Sequence, residues 1–202
     1  MAHQPTTTSF AVLCLLAVSD WTAYELAQQM DRSVGAMWPR AASVVYEEPK
    51  RLVGLGFATA KGTSTGKRPS TTYSITAKGR RALRRWLEQP GAGPVTEFEG
   101  LLKVAFADQG SIEGLRMNLR AIRERAEADI AETEHRFSEY AETGGPFPDR
   151  LPIIALAAEF FRFQSEALLR WIDWADRATR NWSGVTIDSG AQVPADAFRR
   201  LP

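Results

Sequence analysis

A chain of 202 residues, 44% hydrophobic and 24% charged, has ordinary globular composition and room for one large domain or two small ones. Its net charge of +1 is unevenly placed, with 12 Lys+Arg against 6 Asp+Glu in residues 1–94 and 13 against 18 in residues 95–202. An evenly basic nucleic-acid binder is excluded, and the division points to a front half suited to an anion and a back half made for something else.

The first predicted helix spans Ser9 to Ser19 and is apolar nearly all round, which places it centrally in a small core. It holds the only cysteine, Cys14, so no intrachain disulfide is expected and a reducing compartment fits. The apolar run "FAVLCLLAV" is about nine residues long, too short to cross a bilayer, and no Lys or Arg precedes it as in a signal peptide. A buried helix in a cytoplasmic protein, without membrane contact, is the simplest expectation.

"SDW" breaks the first helix, and a Thr22–Glu25 capping box starts a second that runs to about Asp31. Tyr24, Leu26, Ala27 and Met30 are its packing candidates. Pro39 suits the first turn of a third helix, because its missing N–H would be unpaired there anyway. Within that helix Val45, Pro49 and Leu52 share one face, and Arg40, Ser43, Glu47 and Lys50 share the other. Pro49 lies in the interior, so a kink or an early end is expected; Gly54 and Gly56 terminate the segment.

"FATAK" and "TTYSIT" are two short strands joined by a Gly-rich tip carrying Lys67 and Arg68. Thr76 caps a fourth helix, "AKGRRALRRWLEQ", whose Leu83, Trp86 and Leu87 return to the core. "PGAGP" (90–94) is the best linker in the chain. Beyond it, a Thr96–Glu99 capping box opens a short apolar helix. Ser111 then starts a long one, in which Ile112, Leu115, Leu119, Ile122, Ala126, Ile130, Thr133, Phe137 and Tyr140 recur at spacings of 3 and 4. "TGGPFPDR" turns the chain into a second long helix, from about Leu151 to Asn181, rich in aromatics. Residues 183–202 lack periodicity and are expected to form a loose tail.

Three helices, a two-stranded hairpin and a fourth helix form the order of a winged helix-turn-helix, whose third helix enters the major groove while the wing lies on phosphates. The expected fold is therefore mainly α: a winged helix-turn-helix with a two-stranded β-wing over 1–90, an α-helical, coiled-coil-like dimerisation domain over 95–182, and a tail over 183–202. Arg40, Ser43 and Lys50 become candidate DNA contacts, and Lys67 and Arg68 candidate phosphate contacts at the wing tip. Glu47 on the same face opposes phosphate unless it reads a cytosine amino group. Tyr46 is either half-buried packing or a phosphate donor, and "GRRALRRW" is read mainly as a solvated surface.

A two-helix hairpin covers its own seam poorly, and two-fold operators suit two-fold proteins, so a homodimer is expected. Its candidate contacts are Ile112, Leu115, Leu119, Ile122, Phe161, Leu168 and Trp171. The cluster of Phe160, Phe161, Phe163, Trp171 and Trp174 is either interface core or the lining of a small-molecule effector pocket. Enzyme signals are weak. His3 and His135 lack partners at zinc spacing, and there is no P-loop, dinucleotide fingerprint or nucleophile elbow, so no metal, cofactor or catalytic residue is assigned. The alternative to a DNA-binding regulator is a helical module whose winged helix binds a protein.

"SVVYEEPKRLVGLGFATA" followed by "GKRPSTTYSITAKGRRALRRWL" resembles the PadR family of bacterial transcriptional regulators. The family pattern is similar at Tyr46, Lys50, Arg51, Leu52 and Gly56, at Gly66, Lys67 and Arg68, and at Tyr73, Ile75, Thr76 and Gly79. Pro49 departs from it, standing where Leu is commoner. "FEGLLKVAFAD" and the long helices are similar to the virulence-activator-like C-terminal domain of longer members. The resemblance spans about residues 10–180. It implies a sequence-specific, usually repressing DNA-binding protein that dimerises through its C-terminal helices, with effector-controlled affinity in some members.

Overall fold

Thr6 and Ser9 cap one another reciprocally, so the first helix, α1 (Thr7–Val18), opens ahead of the expected Ser9. This is a computed structural model, and it describes residues 4–35, 37–63 and 70–197. The chain divides into two units, Met1–Pro94 and Val95–Pro202.

In the first unit α1 is the central pillar, with Val12, Leu13 and Leu16 fully buried. Cys14 is half-buried rather than buried. After Ser19 the chain stays extended, and Trp21 Nε1 donates to the Leu15 carbonyl at 3.0 Å. That anchor lays β1 (Trp21–Thr22) against the wing, giving three antiparallel strands in the order β1-β3-β2 where two were expected. Thr22 and Glu25 form the expected capping box of α2 (Ala23–Gln29), which passes into a π-helical turn over Met30–Val34. Leu26 and Met30 are buried, but Tyr24 is exposed, its hydroxyl accepting from Gln28.

The third helix, α3 (Ala42–Gly54), begins after Pro39, with Ala41 at its N-cap. Trp38 is tied to α1 through Thr8 and packs against the first core, holding Pro39 and Arg40 outside the helix. Pro49 neither ends the helix nor stays at its surface. The ring is fully buried with Val45 and Leu52, and that burial offsets the lost hydrogen bond and crowding, which cost about 3 kcal/mol in a helix interior.

Gly56, at φ 71°, turns the chain into β2 (Ala58–Thr63), which pairs with β3 (Ser70–Ile75) from Ala58↔Ile75 to Thr63↔Ser70. Thr76 caps α4 (Ala77–Leu87), accepting from the Gly79 amide at 3.0 Å while donating to the Gly56 carbonyl at 2.8 Å. Leu83 is buried and Trp86 stacks on Phe10 with ring centroids 4.8 Å apart, whereas Leu87 is exposed, contrary to expectation.

The second unit starts with α5 (Glu99–Ala105). The Thr96–Glu99 box does not form: Phe98 takes the N-cap without a side-chain bond, and Glu99 pairs with Lys103 at 2.7 Å. Ser111 caps α6 (Ile112–Thr143), and Gly144 in the left-handed region ends it. The antiparallel α7 (Leu151–Thr179) is fastened to α6 where Arg123 reaches both Asp173 at 2.7 Å and Asp176 at 3.0 Å. Residues 183–197 are not loose. Trp182 and Val185 pack on the α6–α7 core, Arg116 donates to the carbonyls of Thr179, Arg180 and Trp182, and Trp174 Nε1 donates to Asp196.

Candidate nucleic-acid interface

The apolar side of α3 fixes which side is left for a partner. With Val45, Pro49 and Leu52 buried, Ser43, Tyr46 and Lys50 stand exposed on the helix, and Arg40 just before it. Tyr46 is 37% exposed. Lys50 is paired with Glu47 at 2.8 Å, and the hydrogen bond to that carboxylate holds its ammonium above the ordinary lysine range. Arg40 lies over an aromatic ring: its guanidinium is 4.2 Å from the centre of the Trp38 ring, and Nη1 donates to the Pro39 carbonyl at 2.6 Å. Lys67 and Arg68 fall between β2 and β3, outside the described residues.

Sequence reasoning missed the network beneath this face. Glu48 is 7% exposed and pairs with Arg51 at 2.9 Å; Arg51 Nη1 also donates to Ser9 Oγ at 3.0 Å, and Nη2 to the Gln4 carbonyl. The i,i+3 spacing of Glu48 and Arg51 was the available signal, but only the fold shows that α1 covers it. Arg81, Arg84 and Arg85 of α4 are exposed, and no ion pair holds them among the described residues. Lys78 instead serves α3, donating to the Leu55 carbonyl at its C-terminus at 2.7 Å.

The candidate dimer residues divide. Ile112, Leu115, Leu119 and Ile122 are buried inside the chain at 1–7% exposure, with Val104, Trp171, Trp174, Trp182 and Val185 packed around the first three. Within the single chain these four side chains belong to the core of the second unit. Phe161, Leu168 and Trp171 are half-buried. The apolar surface left open on α7 is Ile153, Leu156, Phe160 and Phe163, exposed by 64%, 71%, 55% and 56%. Among the described residues no cluster of His, Cys, Asp or Glu is arranged to hold a metal ion, and no helix is long and apolar enough to cross a membrane.

Three helices with an antiparallel wing, followed by a pair of long helices, define a winged helix-turn-helix protein of the transcriptional-regulator class. The model of the transcriptional regulator PadR-like family matches residues 12–85, and that of the virulence activator alpha C-terminal domain matches residues 99–180. The first part of the chain thus carries a PadR-like domain, of a family of transcriptional regulators, and the second a virulence activator alpha C-terminal domain. It is 30% identical over 99 residues to the negative transcriptional regulator PadR of Bacillus subtilis, and 30% identical over 81 residues to a probable transcriptional regulator of Mycobacterium tuberculosis. These alignments take in 48% and 40% of this chain and 54% and 43% of the relatives, so the chain spans about half the length of the curated relatives it matches.

Among solved structures, Bacillus subtilis PadR in complex with operator DNA superposes with a TM-score of 0.74 at 19% identity, covering 86% of this chain and 98% of that one. The Vibrio cholerae virulence activator AphA superposes with a TM-score of 0.61 at 25% identity, covering 84% and 94%. Bacillus subtilis PadR in complex with p-coumaric acid gives 0.60 at 21%, covering 83% and 99%.

Proposed function

We propose that this chain is a sequence-specific DNA-binding repressor that acts as a homodimer, with α3 reading base edges and the wing lying on phosphates. The observation that carries the reading is the division of α3: its apolar side is locked into the core, while Ser43, Tyr46 and Lys50, with Arg40 at its entrance, face solvent beside an antiparallel wing. A helix and wing presented together fit one groove and its flanking backbone. Ala41 makes no side-chain cap bond, so the first amides of α3 are left for a phosphate oxygen. Likeness to a negative regulator and to a structure holding operator DNA supports both the partner and the sign.

The second copy has a natural seat. Ile153, Leu156, Phe160 and Phe163 follow one another at 3, 4 and 3 residues, the spacing of a coiled-coil seam, and all four are exposed. Control by a small planar acid is the accompanying proposal, by likeness to the p-coumaric acid complex. A cleft of about 500 Å³ lined by Arg170, Trp171, Asp173, Trp174, Arg177 and Asp196 offers two cations and aromatic faces, with two carboxylates among them.

The test is fluorescence anisotropy with duplex fragments selected from genomic DNA, across a salt series. The expected result is tight binding to selected fragments, weak binding to scrambled ones and a steep fall with salt. Equal, salt-insensitive affinity for both duplexes would favour a protein-binding module instead.

A further inference from the structure

We infer that Trp38 is a positioning residue for DNA recognition, its indole holding the Arg40 guanidinium ready at the entrance to α3. The inference rests on the DNA-binding reading above and adds to it a reason why one cation on this face is organised before DNA arrives.

The indole is fixed at several points. Its Nε1 donates to Thr8 Oγ1 of α1 at 3.1 Å, its backbone amide bonds the Val34 carbonyl at 2.8 Å, and its ring packs against the first core. Thr8 is itself buried, so the anchor does not drift. Arg40 lies two positions on, across Pro39, whose ring fixes φ and stiffens the link. The guanidinium carbon rests 4.2 Å from the ring centre, and Nη1 donates to the Pro39 carbonyl.

A cation–π contact holds the guanidinium over the ring without using its N–H donors, so those not bound to the Pro39 carbonyl are left for an anion or a guanine. A long arginine free in solution must be ordered at the moment of contact; one already parked on an indole loses less, and binds more tightly for it. The neighbouring cation differs. Lys50 is neutralised by Glu47, whereas no carboxylate pairs with Arg40 among the described residues. Arg40 is therefore the prepared charge of this face.

The experiment is a double-mutant cycle on duplex fragments selected by the wild-type protein, with thermal unfolding of each variant as the control. Trp38→Leu is expected to weaken binding by about 3- to 30-fold, the range of a cation–π contact. Arg40→Ala should weaken it at least as much. In the Arg40→Ala background, Trp38→Leu should cost nothing further. Thr8→Val, which leaves the ring in place and removes its anchor, should give a smaller loss that likewise disappears without Arg40. If Trp38→Leu does not fold, Trp38→Phe and Thr8→Val complete the cycle.

Equal losses with and without Arg40 would overturn the inference and leave Trp38 a core residue only. Unchanged affinity in folded Trp38→Leu or in Arg40→Ala would overturn it as well. Wild-type protein that shows no salt-dependent duplex binding would remove the underlying reading, an outcome distinct from the other two.

Discussion

Gly79 sits in the first turn of α4 against the end of the preceding loop, and a Cβ built there would lie 2.2 Å from the Phe57 carbonyl oxygen and 2.9 Å from Ile75 Cγ1. The nearest atom is backbone and cannot rotate away, so Gly79→Ala should lower stability by about 1–3 kcal/mol, read as a lower denaturation midpoint of the first unit. Glu47 is the opposite case, a residue whose loss should help. Its carboxylate raises the Lys50 pKa, so the lysine's share of the pair is complete at neutral pH and is lost on the alkaline side as pH rises past the ordinary lysine range. Glu47→Gln should therefore free a cation and remove a repulsive charge, tightening duplex binding several-fold at pH 7 without a measurable change in melting temperature. Weaker binding in this variant would mean instead that Glu47 itself reads a base.

At the level of elements, local signals carried far. Thr22 with Glu25, Thr76, Ser111 and the Gly144–Gly145 turn all mark boundaries in the chain where the structure has them, because capping bonds and left-handed glycines act within a few residues. What the sequence concealed depends on distant partners. Pro39 looks like a helix start until Trp38 is seen fastened to Thr8, and Thr96 looks like a cap until Phe98 takes its place. The periodic seam of α6 was legible, but its covering was not. Periodicity says that a face is apolar and is silent on whether its own chain or another one buries it, and here Trp182 and Val185, from a segment without periodicity, help to close it. Two substitutions separate these cases. Leu119→Asp places a carboxylate at a site 1% exposed, which costs several kcal/mol, and should unfold the second unit as seen by its loss of helical circular dichroism. Leu156→Glu with Phe160→Glu alters exposed positions only, and should leave the helices intact while converting the proposed dimer to a monomer in sedimentation. A dimer that survives the second pair would place the subunit contact elsewhere.

Over the whole molecule, the excess of positive charge lies in the unit that holds α3 and the wing, and the excess of negative charge in the unit that holds the long helices. Such a division lets one unit attract a polyanion while the other adds no attraction of its own. Each phosphate neutralised adds about 0.9 to the slope of log affinity against log salt. Replacing Lys67 and Arg68 by Ala in a dimer should therefore flatten that slope by roughly 2 to 4 units, with similar losses on every sequence. An unchanged slope would remove both from the contact surface.

The Phe10–Trp86 stack has an optical consequence. Two rings only 6° from parallel, one on α1 and the other on α4, form an asymmetric chromophore that exists only while those helices are docked. Its near-ultraviolet dichroism should be a private signal of the first unit, lost in Phe10→Leu without disturbing the bands of Trp171, Trp174 and Trp182. The difference between wild-type and Phe10→Leu dichroism, followed through unfolding, would then report the first unit alone, and show whether it melts before, with or after the unit that carries the long helices.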